Sequence, residues 1–172
     1  MKLNTKNITG LLVLAGLLTF FASMSWAEDF KKKYEEKVKV NNDTIGVIAG
    51  VINYVCPKIV DASTKICNEK DPVGSAVGIQ KQMGEIEDLD ELDESELEEE
   101  LSSKKILHVP AAMQFYDAVE QFKMHYPLRE DASKLAEKGD WEGASLREEM
   151  AWQYLVKTAS RGIFAKKMVD NQ

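Results

Sequence analysis

The densest group of potential metal ligands is an acidic segment, residues 85–100, which holds eleven Asp or Glu side chains and no basic one. Carboxylate oxygens are ligands that Ca²⁺ prefers. An EF-hand loop starting at Asp88 would need a side-chain oxygen where Leu92 stands and a glycine where Asp93 stands, so this motif fails. Weak divalent-cation binding by many carboxylates remains as an expectation, and its candidate ligands are Glu87, Asp88, Asp90, Glu91, Asp93 and Glu94. A solvated acidic arm and an anionic surface for a basic partner are the alternatives.

A second candidate for chemistry is Glu148, which falls inside the apolar stripe of a predicted C-terminal helix. A carboxylate among apolar side chains is desolvated, as a general acid requires. The spacing of the sequence places no second carboxylate or nucleophile beside it. We therefore expect a structural role for Glu148, either at the rim of the core or paired with Lys166 or an arginine.

The sequence lacks the common motifs of enzymes and cofactor-binding proteins. It has no Ser-His-Asp pattern, no phosphate-binding glycine loop and no zinc-ligand spacing. Its two histidines stand alone: His108 precedes Pro110, and His125 lies at a predicted helix C-terminus, where positive charge is favoured. We expect a protein that is not an enzyme and that binds neither a cofactor nor a specific metal ion.

Two cysteines, Cys56 and Cys67, predict a disulfide within the chain. Residues 57–66 have a helical pattern, and in one straight helix the two Cα atoms would stand about 16 Å apart. A disulfide needs a separation below about 7 Å. The pairing therefore requires this segment to break and fold back. Pairing between chains and free thiols are the alternatives.

The first 27 residues have the pattern of an export signal. Two lysines precede an apolar run over residues 8–22, and Ser25-Trp26-Ala27 fits a cleavage site after Ala27. The alternative is an uncleaved anchor, because residues 8–27 are about long enough to cross a bilayer and lysines follow them. We expect a periplasmic or secreted protein, or an inner-membrane-anchored one if the segment is kept. Contact with the membrane would then be through this segment alone.

The 172 residues are 44% apolar and carry a net charge of -7, as suits one globular domain. The excess of anions argues against a nucleic-acid partner, whose phosphates attract clustered cations. Without residues 1–27, which hold two lysines and no acid, the net charge is -9. Outside the acidic segment the remainder is +2, so the acidity is one block on a nearly neutral body.

Apolar periodicity predicts an all-α fold, a small irregular helical bundle that follows the signal peptide and carries an acidic amphipathic helix or arm mid-chain. The predicted parts are the signal peptide or anchor 1–27, an N-terminal helical part with the cysteine pair 28–67, a linker and acidic arm 68–105, and a C-terminal helical part 106–172.

The N-terminal helical part divides into a charged helix over residues 28–40 and a core helix over residues 44–55, for which a strand is the alternative. Asn42 or Asp43 is the expected cap of the core helix. Gly46 and Gly50 belong to a small-residue strip that would let a second backbone approach closely. One proline and three glycines in residues 68–84 predict a loop or linker.

The C-terminal third has the clearest helical pattern. Pro110 opens a helix that Pro127 ends, and its apolar stripe is Ala112, Phe115, Val119, Phe122 and Tyr126. A short helix over residues 131–138 follows, and Gly139 stops it. Asp140 caps a long helix from Trp141 to about Val169.

This long helix has two apolar faces. The first consists of Trp141, Ala144, Ala151, Trp152, Leu155, Ala159 and Ile163. The second, called here the partner face, consists of Leu146, Met150, Tyr154, Phe164 and Met168, with Arg147, Lys157 and Arg161 among or beside them. A helix that is wet on one side needs only one apolar face, so the other is either internal core or a surface for a protein partner or for self-association.

Together these features predict an exported, non-enzymatic interaction or assembly protein of the bacterial cell envelope. It would bind itself or a partner through its C-terminal helices. The alternative is a periplasmic cation- or ligand-binding protein that uses the acidic segment.

Overall fold

The computed structural model describes the backbone of residues 5–84 and 94–171. Side chains are described from Trp26 onward within these ranges, apart from those at positions 94, 97, 98 and 101. The helices are α1 (Thr5–Ile59), α2 (Pro72–Gly84), α3 (Glu94–Ser103), α4 (Val109–Lys123), α5 (His125–Glu137) and α6 (Trp141–Asp170), with a 3-10 turn at Ala62–Thr64. The predicted all-α helical bundle is confirmed over these residues.

The helix α1 is continuous where the sequence predicted a charged helix and a separately capped core helix. It passes through Asn42 and Asp43 without a break, so the predicted cap and the strand alternative are both wrong. Asn42 lies inside α1, and its side chain accepts a hydrogen bond from Arg129 of α5 at 2.9 Å. Export and cleavage after Ala27 stay predictions. From Trp26 onward, within the residues whose side chains the structure describes, no helix is both long and apolar enough to cross a membrane.

The segment predicted as a loop or linker instead forms α2. Asp71 accepts a hydrogen bond from the backbone N–H of Gly74 at 2.8 Å, and Pro72 begins the helix, where its missing N–H costs nothing. Ala76, Ile79 and Met83 then follow at helical spacing and are buried. This core contact outweighs the low helix propensity of the glycines, which alone suggested a loop.

The central element of the bundle is α6, because α1, α4 and α5 all pack against it, while α2 packs against α1 and α4. The buried residues of α6 are spaced alternately four and three positions apart, as in a helix that packs along its whole length. They are Ala144, Glu148, Ala151, Leu155, Thr158, Gly162, Ala165 and Val169. From α1, α2 and α4 the core receives Ile48, Ile52, Val55, Ile59, Ile79, Met83, Phe115, Val119 and Phe122.

The close approach between helices occurs at Gly162 of α6, not at the small-residue strip of α1. A Cβ atom at Gly162 would lie 3.1 Å from Val51 Cγ1 of α1. At Gly46 and Gly50 a Cβ atom would meet nothing within 4 Å. The strip therefore faces away from the bundle, since the β-branched side of α1 supplies more apolar area to bury.

A disulfide joins Cys56 and Cys67, whose Cα atoms are 5.7 Å apart. The predicted break in this segment is confirmed: α1 ends at Ile59, and Lys65 turns the chain with a positive φ of 56°. A separate helix over residues 57–66 is wrong, because Pro57 lies in the last turn of α1. Beyond that turn, Val60 pairs with Ile106 in an antiparallel bridge.

The C-terminal helices follow the predicted order with shifted boundaries. The side chain of His108 caps α4, and Pro110 lies in its first turn, as predicted. The predicted end of this helix at Pro127 is wrong, because α4 already ends at Lys123. Pro127 lies in the first turn of α5, where proline is tolerated. Gly139, with φ of 79°, and the Asp140 cap of α6 are confirmed.

Candidate functional site

The partner face of α6 is only partly covered by the bundle. Leu146 is 59% exposed, Met150 36% and Phe164 50%. Tyr154 is half-buried, and Met168 packs against the core. From Leu146 to Phe164 is 18 residues of helix, which corresponds to about 27 Å along its axis. The structure thus brings large apolar side chains to the surface along most of α6.

The first apolar face of α6 provides the internal contacts. Ala144, Ala151 and Leu155 are fully buried, and Trp141 and Trp152 are half-buried. The rings of Trp141 and Tyr34 of α1 lie 5.9 Å apart, and the ammonium of Lys37 lies 5.5 Å from the Trp152 ring. The last member of that face, Ile163, is exposed, so the first apolar face no longer packs against the core at this position near the C-terminal end of α6.

Basic side chains accompany the partner face. The ammonium of Lys157 lies 5.4 Å from the centroid of the Tyr154 ring, a distance suited to a cation–π contact. Arg161 donates to Gln114 of α4 at 2.9 Å and lies 3.5 Å from a carboxylate oxygen of Asp117. Arg147 Nη1 contacts the sulfur of Met150 at 3.6 Å. The exposed apolar side chains of this face are therefore interspersed with basic groups, of which Arg161 is paired with Asp117.

The carboxylate of Glu148 lies on the buried side of α6 and is 2% exposed, as predicted from its place in the apolar stripe. Arg129 of α5 pairs with it, with Nε 3.3 Å from one carboxylate oxygen and 3.4 Å from the other. The side-chain amide of Asn41 on α1 also donates to this carboxylate and, at 3.0 Å, to the backbone carbonyl of Glu148. The predicted pairing with an arginine is confirmed, whereas Lys166 pairs with Asp170.

Two titratable rings lie near this carboxylate. Burial, and after it the charge of Glu148, raise the pKa of Tyr34. Burial lowers the pKa of His125, which is 1% exposed and whose Nδ1–H donates to the backbone carbonyl of Phe122. His108 caps α4. His125 was expected at a helix C-terminus, but it is the first residue of α5 and its ring is buried.

Sequence inspection missed Asn41 and Arg129 as members of this cluster. Asn41 lies 107 positions before Glu148, and Arg129 lies 19 before it, so no local period connects them. The position of Asn41 could have indicated a buried polar contact, because it lies two helical turns before Ile48 on the buried side of α1. Its complete burial marks it as a polar contact inside the bundle.

The predicted cation ligands Glu87, Asp88, Asp90, Glu91 and Asp93 lie outside the described residues, and Glu94 is the first residue of α3. Within the described ranges, no group of three or more His, Cys, Asp or Glu side chains could hold a metal ion. Weak cation binding by the acidic segment stays a prediction.

Comparison with models of protein families, with curated protein sequences and with solved structures found no match to this chain.

Proposed function

We propose that this chain is an exported, non-enzymatic protein of the bacterial cell envelope that binds a partner protein through the partner face of α6. The observation that carries the proposal is that Leu146 and Phe164 stay at least half exposed although α6 is the central helix of the bundle. Exposed apolar side chains grouped along one helix are typical of a protein-binding surface. The N-terminal signal pattern supports export.

The charge around the face favours an acidic partner. Lys157 lies on the same side of α6 as the exposed apolar residues, and Arg147 and Arg161 flank it. Opposite charge across an interface fixes its register and disfavours partners of like charge. The expected partner segment is a helix about 27 Å long that presents apolar side chains flanked by Asp or Glu.

The role of Glu148 supports a function without catalysis. Its carboxylate is enclosed by α1, α5 and α6 and is occupied by Arg129 and Asn41. A buried carboxylate held in this way fixes the relative position of the three helices.

In-cell photo-crosslinking of the full-length, C-terminally tagged chain tests the proposal. A photoreactive residue at Gln153, exposed on α6 between Met150 and Lys157, should give one dominant adduct at native abundance. Leu146→Ser together with Phe164→Ser should abolish the adduct, and Lys157→Glu should weaken it. The matched control is Leu107→Ser, because Leu107 is 57% exposed and belongs to the loop between α3 and α4.

The adducted peptide should be apolar and acidic, and the mass of the tagged chain should show the loss of residues 1–27. No adduct, or an adduct that survives the double substitution, would contradict binding through α6. An adduct between two copies of this chain would show that the face binds itself and not a different protein. A tagged chain that keeps residues 1–27 would show that the N-terminal segment is an anchor and not a cleaved export signal.

A further inference from the structure

An apolar cavity of about 170 Å³ lies between α1, α2, α4 and α6. Its inner walls include Ile48 and Ile52 of α1 and Phe115 and Val119 of α4, none of them more than 6% exposed. Val77, Lys123 and Tyr126 at the outer part of the lining are exposed, so the space is open at one end and can admit a small molecule.

The interior of the cavity offers almost nothing to water. Thr158 is a polar residue in its lining, and its hydroxyl is already used in a 3.0 Å hydrogen bond to the Tyr154 carbonyl of its own helix. A wholly apolar cavity of roughly 150 Å³ in another protein stays dry and binds benzene. The cavity here has a similar volume and the same kind of lining, so an apolar group of about that size fits it.

One end of the cavity reaches the surface and carries polar groups. Tyr126 and Lys123 belong to the lining and are exposed, and the Tyr126 ring lies edge-on to Phe122 at 5.5 Å. The Lys123 ammonium is held at this rim by Glu120 at 2.8 Å and by Gln80 of α2 at 3.1 Å. A positioned ammonium at the mouth of an apolar cavity is suited to the anionic head of an amphiphile.

We propose that this cavity binds a small amphiphile, with a hydrocarbon group about the size of a benzene ring inside and a carboxylate against Lys123. The site is separate from the partner face, and the proposal does not depend on the proposed function. Ala118 and Ala159 line the cavity and are small, so the volume can be filled by substitution without adding charge.

The test is a titration of the purified full-length chain, followed through the methyl NMR signals of Ile48 and Ile52. Benzene should shift both signals. Hexanoate should also shift them and should bind several-fold more tightly than hexylammonium. Ala118→Leu should abolish binding of both benzene and hexanoate, and Ala159→Leu serves the same purpose if the first variant does not fold. The matched control is Ala62→Leu, an exposed position outside the cavity that should leave binding unchanged.

Lys123→Gln should lower the affinity for hexanoate to that for hexylammonium and leave benzene binding intact. Methyl signals that respond to neither benzene nor hexanoate would overturn the site. So would binding that persists in the filled variants. Equal affinity for hexanoate and hexylammonium in the unchanged protein would overturn the assignment of a carboxylate head.

Discussion

Arg129 of α5 meets the carboxylate of Glu148 of α6 at 3.3 Å, inside a bundle that leaves Glu148 only 2% exposed. Asn41 of α1 donates to the same carboxylate, so one side chain connects three helices. A charge removed from water costs free energy unless it is paired and hydrogen-bonded. The cluster therefore connects α1, α5 and α6 at one buried point.

Replacing Glu148 by Ala should lower the free energy of unfolding by about 3 kcal/mol, because Arg129 and Asn41 lose their shared partner. Glu148→Gln should cost less, since an amide oxygen still accepts a hydrogen bond from Asn41. Urea denaturation of the oxidised protein measures both. Glu149→Gln is the matched control, because its partly exposed pair with Lys37 should contribute about 1 kcal/mol or less. Equal losses at positions 148 and 149 would contradict the buried cluster.

Two glycine-to-alanine substitutions should have different effects on stability. Gly50 faces open space on α1, so Gly50→Ala should raise the free energy of unfolding by up to about 1 kcal/mol through helix propensity. At Gly162 the new methyl group would lie 3.1 Å from Val51, so the same gain should be cancelled by crowding. Thermal denaturation of the two variants side by side checks this. A larger gain at Gly162 than at Gly50 would show that α1 and α6 are not in close contact there.

The buried ring of His125 should make stability depend on pH. Burial lowers the pKa of His125 below its ordinary 6.5, and Arg129 also lowers this pKa, while the hydrogen bond to the Phe122 carbonyl and the charge of Glu148 raise it. Well above pH 6.5 the ring is neutral in both the folded and the unfolded state, and its contribution to stability is complete. As the pH falls below that value, the unfolded chain takes up a proton that the folded chain resists, so the free energy of unfolding decreases until the folded pKa is passed.

Denaturation midpoints measured between about pH 5 and pH 7.5 check this sign. His125→Asn, which keeps a donor for the Phe122 carbonyl and removes the titrating ring, should flatten the pH dependence in that window. An unchanged slope in the variant would assign the effect to another group.

Reduction of the Cys56–Cys67 disulfide should lower the free energy of unfolding by roughly 3 kcal/mol, the chain-entropy value for a loop of this length. The measurement is denaturation with and without a reductant. A Cys56→Ala, Cys67→Ser variant should match the reduced protein and should not respond to the reductant. Oxidised and reduced protein with the same stability would mean that the bridge adds no constraint to the unfolded chain.

The sequence predicted α6 well because its limits depend on local chemistry. Gly139 supplies the positive φ that ends α5, and Asp140 hydrogen-bonds to the N–H of Gly143 at 2.9 Å. The prediction failed for α2 because glycine content favours a loop, whereas burial of Ile79 and Met83 against the core decides the outcome. That burial is a tertiary effect, which local propensity does not contain.

For the candidate surface, sequence periodicity identified the apolar side chains but not which of them the bundle would cover. Leu146 and Met168 both belong to the partner face of α6, yet Leu146 is exposed and Met168 packs against the core. The difference depends on which helices lie beside each end of α6. The sequence predicted an arginine as one possible partner of Glu148 but identified neither Arg129 nor Asn41, because these come from α5 and α1 and reach Glu148 only in the folded bundle.

The packing of α1 against α6 joins segments that are far apart in the sequence. Tyr54 and Lys58 of α1 contact Asp170, the last residue of α6, which lies more than a hundred positions later in the chain. Such distant contacts carry a large loop-closure cost, and they form only after the ribosome has made α6. A growing chain therefore exposes the apolar side of α1 until α6 has been synthesised, and we expect that side to bind a holding chaperone in the interval.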